Sequence, residues 1–131
     1  MKILSLILAR KSSKRIKNKN KVLFKKKKLI EHTFTLAKKG NFFIDTLLSS
    51  DDEQIIKIAK KYKVLAPWKR PKNLCKDYTP SFKAVIHACN WYEKKFGKID
   101  GVFILQPTSP FRKLKTIKEM IKLFKLNKRK S

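Results

Sequence analysis

MKILSLILA, residues 1–9, decides how the whole chain is read. A lysine followed by a short apolar run has the look of a secretion leader. The run is too short to span a bilayer, and it passes straight into RKSSKR, residues 10–15, with no small-residue cleavage pattern. The other reading is a buried strand. Ile3 to Leu8 is nearly continuous apolar sequence, as a parallel strand covered on both faces requires, whereas a strand with one wet face would alternate. The unbroken run favours the buried strand.

If β-structure comes first, the rest falls into alternation. Leu29, Ile30, Phe34 and Ala37 recur at helical spacing before a stop at Gly40, and residues 10–28 before them are basic and irregular. Phe42 to Ser49 reads as a second strand. Ser50-Asp51-Asp52-Glu53 reads as a capping box with Ser50 as the cap, opening a helix that buries Ile55, Ile56, Ala59 and Tyr62. Lys63 to Ala66 reads as a short third strand, and 67–78 as a proline-containing loop. Thr79 as cap and Pro80 at the first helical position start another helix, whose buried side is expected to carry Phe82, Val85, Ile86, Cys89 and Phe96. Ile99 to Leu105 reads as a fourth strand, and a last helix over 114–126 runs into a frayed tail, NKRKS. The order predicts an α/β fold, a parallel sheet with helices on both faces, in one domain over residues 1–131. Such sheets bind ligands beyond the carboxyl ends of their strands, which selects the loops 9–20, 49–53, 67–81 and 106–112.

Charge narrows the partners. The net charge is +26, from 35 Lys and Arg against 9 Asp and Glu, while 42% of residues are hydrophobic. Such an excess attracts polyanions, whether nucleic acid, anionic membrane or phosphorylated small molecules. Lysine is spread over almost every polar face and arginine is sparse, so compositional drift is read ahead of a dedicated nucleic-acid surface. Cys75 and Cys89 have no CxxC or histidine at ligand spacing, which argues against zinc and for reduced thiols in a cytoplasmic protein without a membrane span. His87 and Cys89 are read as core residues, and His32 has no partner spacing. Trp68, Trp91 and Tyr92 are read as packing residues. Asp51 and Asp52 suit a helix start better than a metal site.

Two loops carry chemistry. ARKSSKRIKNKN, residues 9–20, sets Arg10, Lys14, Arg15 and Lys19 among Ser12 and Ser13, a composition that suits polyphosphate. It is neither GxxxxGK[ST] nor GxGxxG, and on composition alone a solvated basic loop is the first reading. LQPTSPFR, residues 105–112, ends an apolar strand with two prolines that hold Gln106, Thr108 and Ser109 nearly rigid.

Taken in series, Leu8-Ala9-Arg10, Ser13-Lys14, Lys19-Asn20, SSDDEQI at 49–55, Arg70-Pro71 with Asp77 and Ser81, and LQPTSPFR closely resemble the N-acylneuraminate cytidylyltransferases, also called CMP-sialic acid synthetases. The resemblance spans essentially the whole chain. It implies a parallel-sheet, nucleotide-diphospho-sugar-transferase-like (Rossmann-like) fold, truncated relative to the family. It implies transfer of CMP from CTP to a nine-carbon sugar acid with release of pyrophosphate.

By the same resemblance Ala9, Arg10, Ser13, Lys14 and Lys19 would cradle the triphosphate, with Arg10 and Lys19 in the catalytic, charge-stabilising role. Asn20, Arg70 and Ser81 would hold the cytidine and ribose, and Gln106, Thr108 and Ser109 the sugar acid. Gln106 stands where the 3-deoxy-manno-octulosonate branch carries an acidic loop, which favours a nonulosonate. The Mg2+ ligands and the homodimer segment of the family are expected beyond residue 131, so no metal ligand is assigned and the chain alone is expected to catalyse poorly. Lys11-Ser12 stands where many members have Gly-Gly, restricting close backbone approach to phosphate. A non-catalytic remnant and a charge-driven nucleic-acid binder are the alternatives.

Overall fold

The structure, a computed structural model, describes residues 2–10, 23–24, 27–39, 42–74, 81–105, 119 and 122–123. Its sheet has three parallel strands. β1 (Ile3–Ala9) lies in the middle, between β4 (Asp45–Ser50) and β5 (Gly101–Leu105). The register sets Ala9 opposite Ser50 and Ile7 opposite Leu105. The apolar run of β1 has its cause here. Ile3, Ile7 and Ala9 enter one core, and Leu4 and Leu6 the other. Each fully buried leucine or isoleucine contributes about 1.5–3 kcal/mol.

The first core is roofed by α1 (Leu29–Lys38), through Ile30, Phe34 and Ala37, and by α2 (Glu53–Lys61), through Ile55, Ile58 and Ala59. The second is roofed by α3 (Ser81–Phe96). Helices leading one way along the sheet sit on one face, and the helix leading back sits on the other, as right-handed crossovers require. A small antiparallel pair, β2 (Leu23–Phe24) with β3 (Lys27–Lys28), precedes α1 in a region read from sequence as irregular.

Several expected boundaries shift, each for a local reason. The second strand begins at Asp45, because Phe42 and Phe43 turn their rings onto the core, Phe43 meeting Phe103 at 5.6 Å. The third strand shrinks to one bridge, Leu65 beside Leu47. Upstream of it, Lys63 adopts φ 59° to end α2, with its N–H donating to the Lys60 carbonyl and the Val64 N–H to that of Ala59. These two bonds form a Schellman motif, and Pro67 limits pairing on the other side.

The fourth strand begins at Gly101, since the Ile99 N–H is taken by Glu93 and the Asp100 N–H by the Lys2 carbonyl. The cap of α2 is Asp52, whose Oδ1 accepts from the Gln54 N–H at 2.9 Å. Ser50 instead ends β4, its Oγ accepting from the Asp52 N–H at 3.0 Å. Glu53 is therefore already helical and does not close a capping box on Ser50.

α3 presents a different face from the one expected. Ala84, Ala88 and Tyr92 are buried, while Phe82, Ile86 and Phe96 are more than half exposed. The alanines let the helix approach the sheet closely. The Tyr92 hydroxyl donates to Asp45 Oδ2 at 2.5 Å, pinning the helix to the start of β4. Gly97, at φ 106°, ends the helix with its N–H on the Glu93 carbonyl. Thr79, Pro80 and most of 114–126 lie outside the described residues, although Glu119, Lys122 and Leu123 are helical.

Candidate functional site

The carboxyl edge of the sheet is where β1 and β4 finish side by side, Ala9 paired with Ser50. Ala9 is buried, and Arg10 follows as the first residue beyond the strand. Leu105 ends β5 opposite Ile7, so the chain leaves for Gln106 from the same edge. Neighbouring strands lie about 4.8 Å apart, so the loops after β1, β4 and β5 start within roughly 10 Å of one another.

The loop after Leu65 is tied to that edge by Arg70. Its backbone N–H donates to the Ser50 carbonyl at 2.7 Å. Its Nε donates to Ser49 Oγ at 2.9 Å and its Nη2 to the Ser49 carbonyl at 2.7 Å. Arg70 is only 5% exposed, and Ser49 and Ser50 are fully buried. A guanidinium out of water is tolerable only with its donors engaged. Arg70 is thus a buried fork on the last two residues of β4 rather than a surface cation. Lys69 and Glu53 meet nearby at 3.4 Å in solvent, a pair of little energetic weight.

α3 runs antiparallel to the strands. Its last residue is four before Asp100, which binds Lys2 at the amino edge. Sixteen helical residues cover about 24 Å, the length of a seven-residue strand. Ser81, its first residue, therefore stands at the carboxyl end. Four of the expected site residues, Ala9, Arg10, Arg70 and Ser81, are placed at this edge. Ser13, Lys14, Lys19, Asn20, Gln106, Thr108 and Ser109 lie outside the described residues.

Sequence reading missed Ser49. Two adjacent serines ending an apolar strand were the available signal, since small hydroxyls there can accept from a neighbouring loop. Beneath the loop, Trp68 packs against His87 at 4.6 Å and Trp91 at 6.2 Å, in keeping with packing roles for all three. Burial pushes the Cys89 thiol above its ordinary value, with Glu93 adding to the shift. That holds it as a neutral thiol rather than a nucleophile.

Among the described residues no group of three or more His, Cys, Asp or Glu is arranged to hold a metal ion. Asp52 spends one carboxylate oxygen on the helix cap. No described helix is long and apolar enough to cross a membrane.

Comparison with known proteins gives this edge a context. A family model described as cytidylyltransferase matches residues 4–130. The chain is 36% identical over 126 residues to the CMP-N,N'-diacetyllegionaminic acid synthase of Legionella pneumophila, covering 96% of this chain and 54% of that protein. It is 38% identical over 130 residues to a pseudaminic acid cytidylyltransferase of Campylobacter jejuni, covering 99% of this chain and 56% of the relative.

Among solved structures, a CMP:2-keto-3-deoxy-manno-octonic acid synthetase complexed with CTP superposes with a TM-score of 0.76 at 17% identity, over 95% of this chain and 48% of that one. A cytidylyltransferase from Leptospira borgpetersenii superposes with a TM-score of 0.75 at 24% identity, over 97% and 50%. At those identities the likeness is one of fold, and it agrees with the parallel sheet read from the sequence. The chain spans about half the length of the relatives it matches.

Proposed function

The chain belongs to the cytidylyltransferase family, and from that membership we propose that it carries the nucleotide-binding part of an enzyme that transfers CMP from CTP to a nonulosonic, sialic-type sugar acid, releasing pyrophosphate. The sugar class is supported by the names of the relatives, which include legionaminic and pseudaminic acid enzymes. The observation that carries the reading is the carboxyl edge, where the Ala9–Ser50 register and the Arg70 fork fix the roots of the loops.

In such a transfer the anomeric hydroxyl of the sugar attacks the α-phosphorus in line, and the bond to pyrophosphate breaks. Charge grows on the non-bridging and leaving oxygens, and fixed cations oppose it. Arg10, and Lys19 in the loop it opens, take that role, with Ser13 and Lys14 donating to the triphosphate. Asn20, Arg70 and Ser81 hold the cytidine and ribose, Arg70 acting from a guanidinium that Ser49 orients. Gln106, Thr108 and Ser109 face the sugar acid. We place the magnesium ligands in the part of the relatives that this chain does not span.

The test is a calorimetric titration of the purified chain with CTP, ATP and a short DNA duplex, each with magnesium, at two salt concentrations. CTP is expected to bind more tightly than ATP, Arg10→Ala to weaken both by removing a triphosphate contact, and Ser81→Ala to narrow the difference between them. Equal heats for CTP and ATP overturn the reading. A response to DNA alone, falling steeply with salt, gives the chain to a charge-driven nucleic-acid binder instead.

A further inference from the structure

α1, α2 and α3 all aim their carboxyl ends at the amino edge of the sheet, away from the edge that roots the loops. α3 ends four residues before Asp100, whose N–H donates to the Lys2 carbonyl. α2 ends four residues before Leu65, whose N–H donates to the Thr46 carbonyl near the start of β4. α1 leads to Ile44, whose N–H donates to the Ile3 carbonyl.

Lysines crowd that edge. Lys38, Lys60, Lys61, Lys94 and Lys95 occupy the last helical turns, where a cation offsets the helix dipole. Lys2, Lys39, Lys63 and Lys98 lie outside the three helices, so the dipole does not account for them. All nine are exposed. Lys63 is the most telling. It holds a left-handed φ of 59° where glycine would carry no strain. Backbone strain kept around a lysine points to a use for its charge.

Counter-charge is scarce. Four carboxylates reach this edge, and each accepts a hydrogen bond from within the chain. Glu31 takes the Tyr62 hydroxyl, Asp45 that of Tyr92, Glu93 the Ile99 N–H and Asp100 the Lys2 N–H. The three helix ends return only roughly half a negative charge each, so the edge stays strongly positive. Two apolar side chains sit among the cations. Phe96 is 52% exposed and Ile44 41%. Tyr92 links them, its ring 4.9 Å from that of Phe96 and its hydroxyl on Asp45, the neighbour of Ile44. Lys95 Nζ lies 5.7 Å from the centre of the Phe96 ring.

We infer that this amino edge is a docking surface for an anionic lipid bilayer, with the lysines on the headgroups and Phe96 and Ile44 entering between them. Flexible cations around apolar tips suit an interfacial contact. A nucleic acid is matched less well. None of the nine cations is an arginine able to read a base, and Ile44 gains nothing from a phosphate backbone. Docked this way, the chain turns its carboxyl edge to the water. The inference does not rest on the choice of CTP, and its test uses no nucleotide.

The test sediments the purified chain with phosphatidylcholine vesicles, plain or carrying about 30% phosphatidylserine, in about 0.1 M salt. Binding to the anionic vesicles is expected to be tighter by about a hundredfold or more. Lys60→Gln, Lys61→Gln and Lys63→Gln together should weaken it at least tenfold, since each lysine near an anionic surface contributes about fivefold. Lys94→Gln, Lys95→Gln and Lys98→Gln, on the other face of the sheet, should do the same, so a folding defect in one triple cannot stand in for the effect. Lys69→Gln, Lys72→Gln and Lys83→Gln remove the same charge away from this edge and should change binding by less than about threefold. Phe96→Ser should weaken the part of binding that survives higher salt.

Equal binding to plain and anionic vesicles overturns the inference. So does an equal loss in all three triples, which leaves net charge alone as the cause. Tighter binding of a short DNA duplex than of the anionic vesicles, lost in the two edge triples and kept in the third, overturns it too and gives the edge to nucleic acid.

Discussion

Two side chains show how much a single residue holds in place. Ser49 takes both the Nε and, through its carbonyl, the Nη2 of Arg70. Ser49→Ala leaves a buried guanidinium N–H without its acceptor, at a cost of about 1–3 kcal/mol by urea denaturation. It should also weaken any CTP response, because Arg70 loses its orientation. An unchanged midpoint would show that the fork does not depend on the hydroxyl.

Tyr92 makes a second such point, joining α3 to Asp45. Tyr92→Phe should cost about 1.5–3 kcal/mol, the range for a hydrogen bond to a charged group. Burial first, and the Asp45 carboxylate second, hold this phenol well above its usual 10.0. The unfolded chain sheds the proton as pH passes 10 while the folded chain keeps it. The contribution is thus full below about pH 10 and lost as pH rises beyond it. Thermal melts across that range should fall more steeply for the parent chain than for Tyr92→Phe, and parallel slopes would refute the linkage. Neither partner pair was legible beforehand. Arg70 was singled out only through resemblance, because composition does not reveal a buried cation, and Asp45 lies 47 residues from Tyr92.

Elements were legible where burial is two-sided and misread where size misleads. The run in β1 and the 3.6 period of α1 and α2 gave correct types. In α3, Phe82, Ile86 and Phe96 drew the buried face toward themselves, yet Ala84 and Ala88 occupy it. A periodicity weighted by side-chain size overlooks the small residues that allow close approach. Helix ends offer direct tests. Asp52→Ala removes the cap of α2 and should cost about 1 kcal/mol. Ser50→Ala leaves that cap in place but takes the acceptor from the buried Asp52 N–H, so the two are separated by hydrogen exchange at the Gln54 amide, which Asp52→Ala should speed and Ser50→Ala should not. Lys63 sits in the left-handed region at the other end. Lys63→Gly should stabilise by about 0.5–1 kcal/mol, the steric relief outweighing the added chain entropy. A lower Tm for the glycine variant would mean that the lysine stem makes contacts worth more than the strain.

At the scale of the molecule, charge and topology set the behaviour. With +26 on 131 residues, self-repulsion opposes compaction, so raising salt from about 0.02 to 0.3 M should raise the Tm. A Tm that stays flat would mean that the charges lie too far apart to interact. The alternation of strands and helices was readable because each unit repeats a local rule. The strand order β4-β1-β5 was not, since nothing in a sequence marks which strand lies in the middle of a sheet. The middle strand is also the first one made. β1 pairs with residues 45–50 on one side and 101–105 on the other. A growing chain elongates at roughly 5–20 residues per second, so on the order of 5–20 s separate the synthesis of β1 from that of its last partner. For that interval Ile3, Leu4, Leu6 and Ile7 face solvent or a chaperone. The yield of soluble protein should therefore depend on translation speed between codons 50 and 105, a property set by the messenger RNA and invisible in the folded chain.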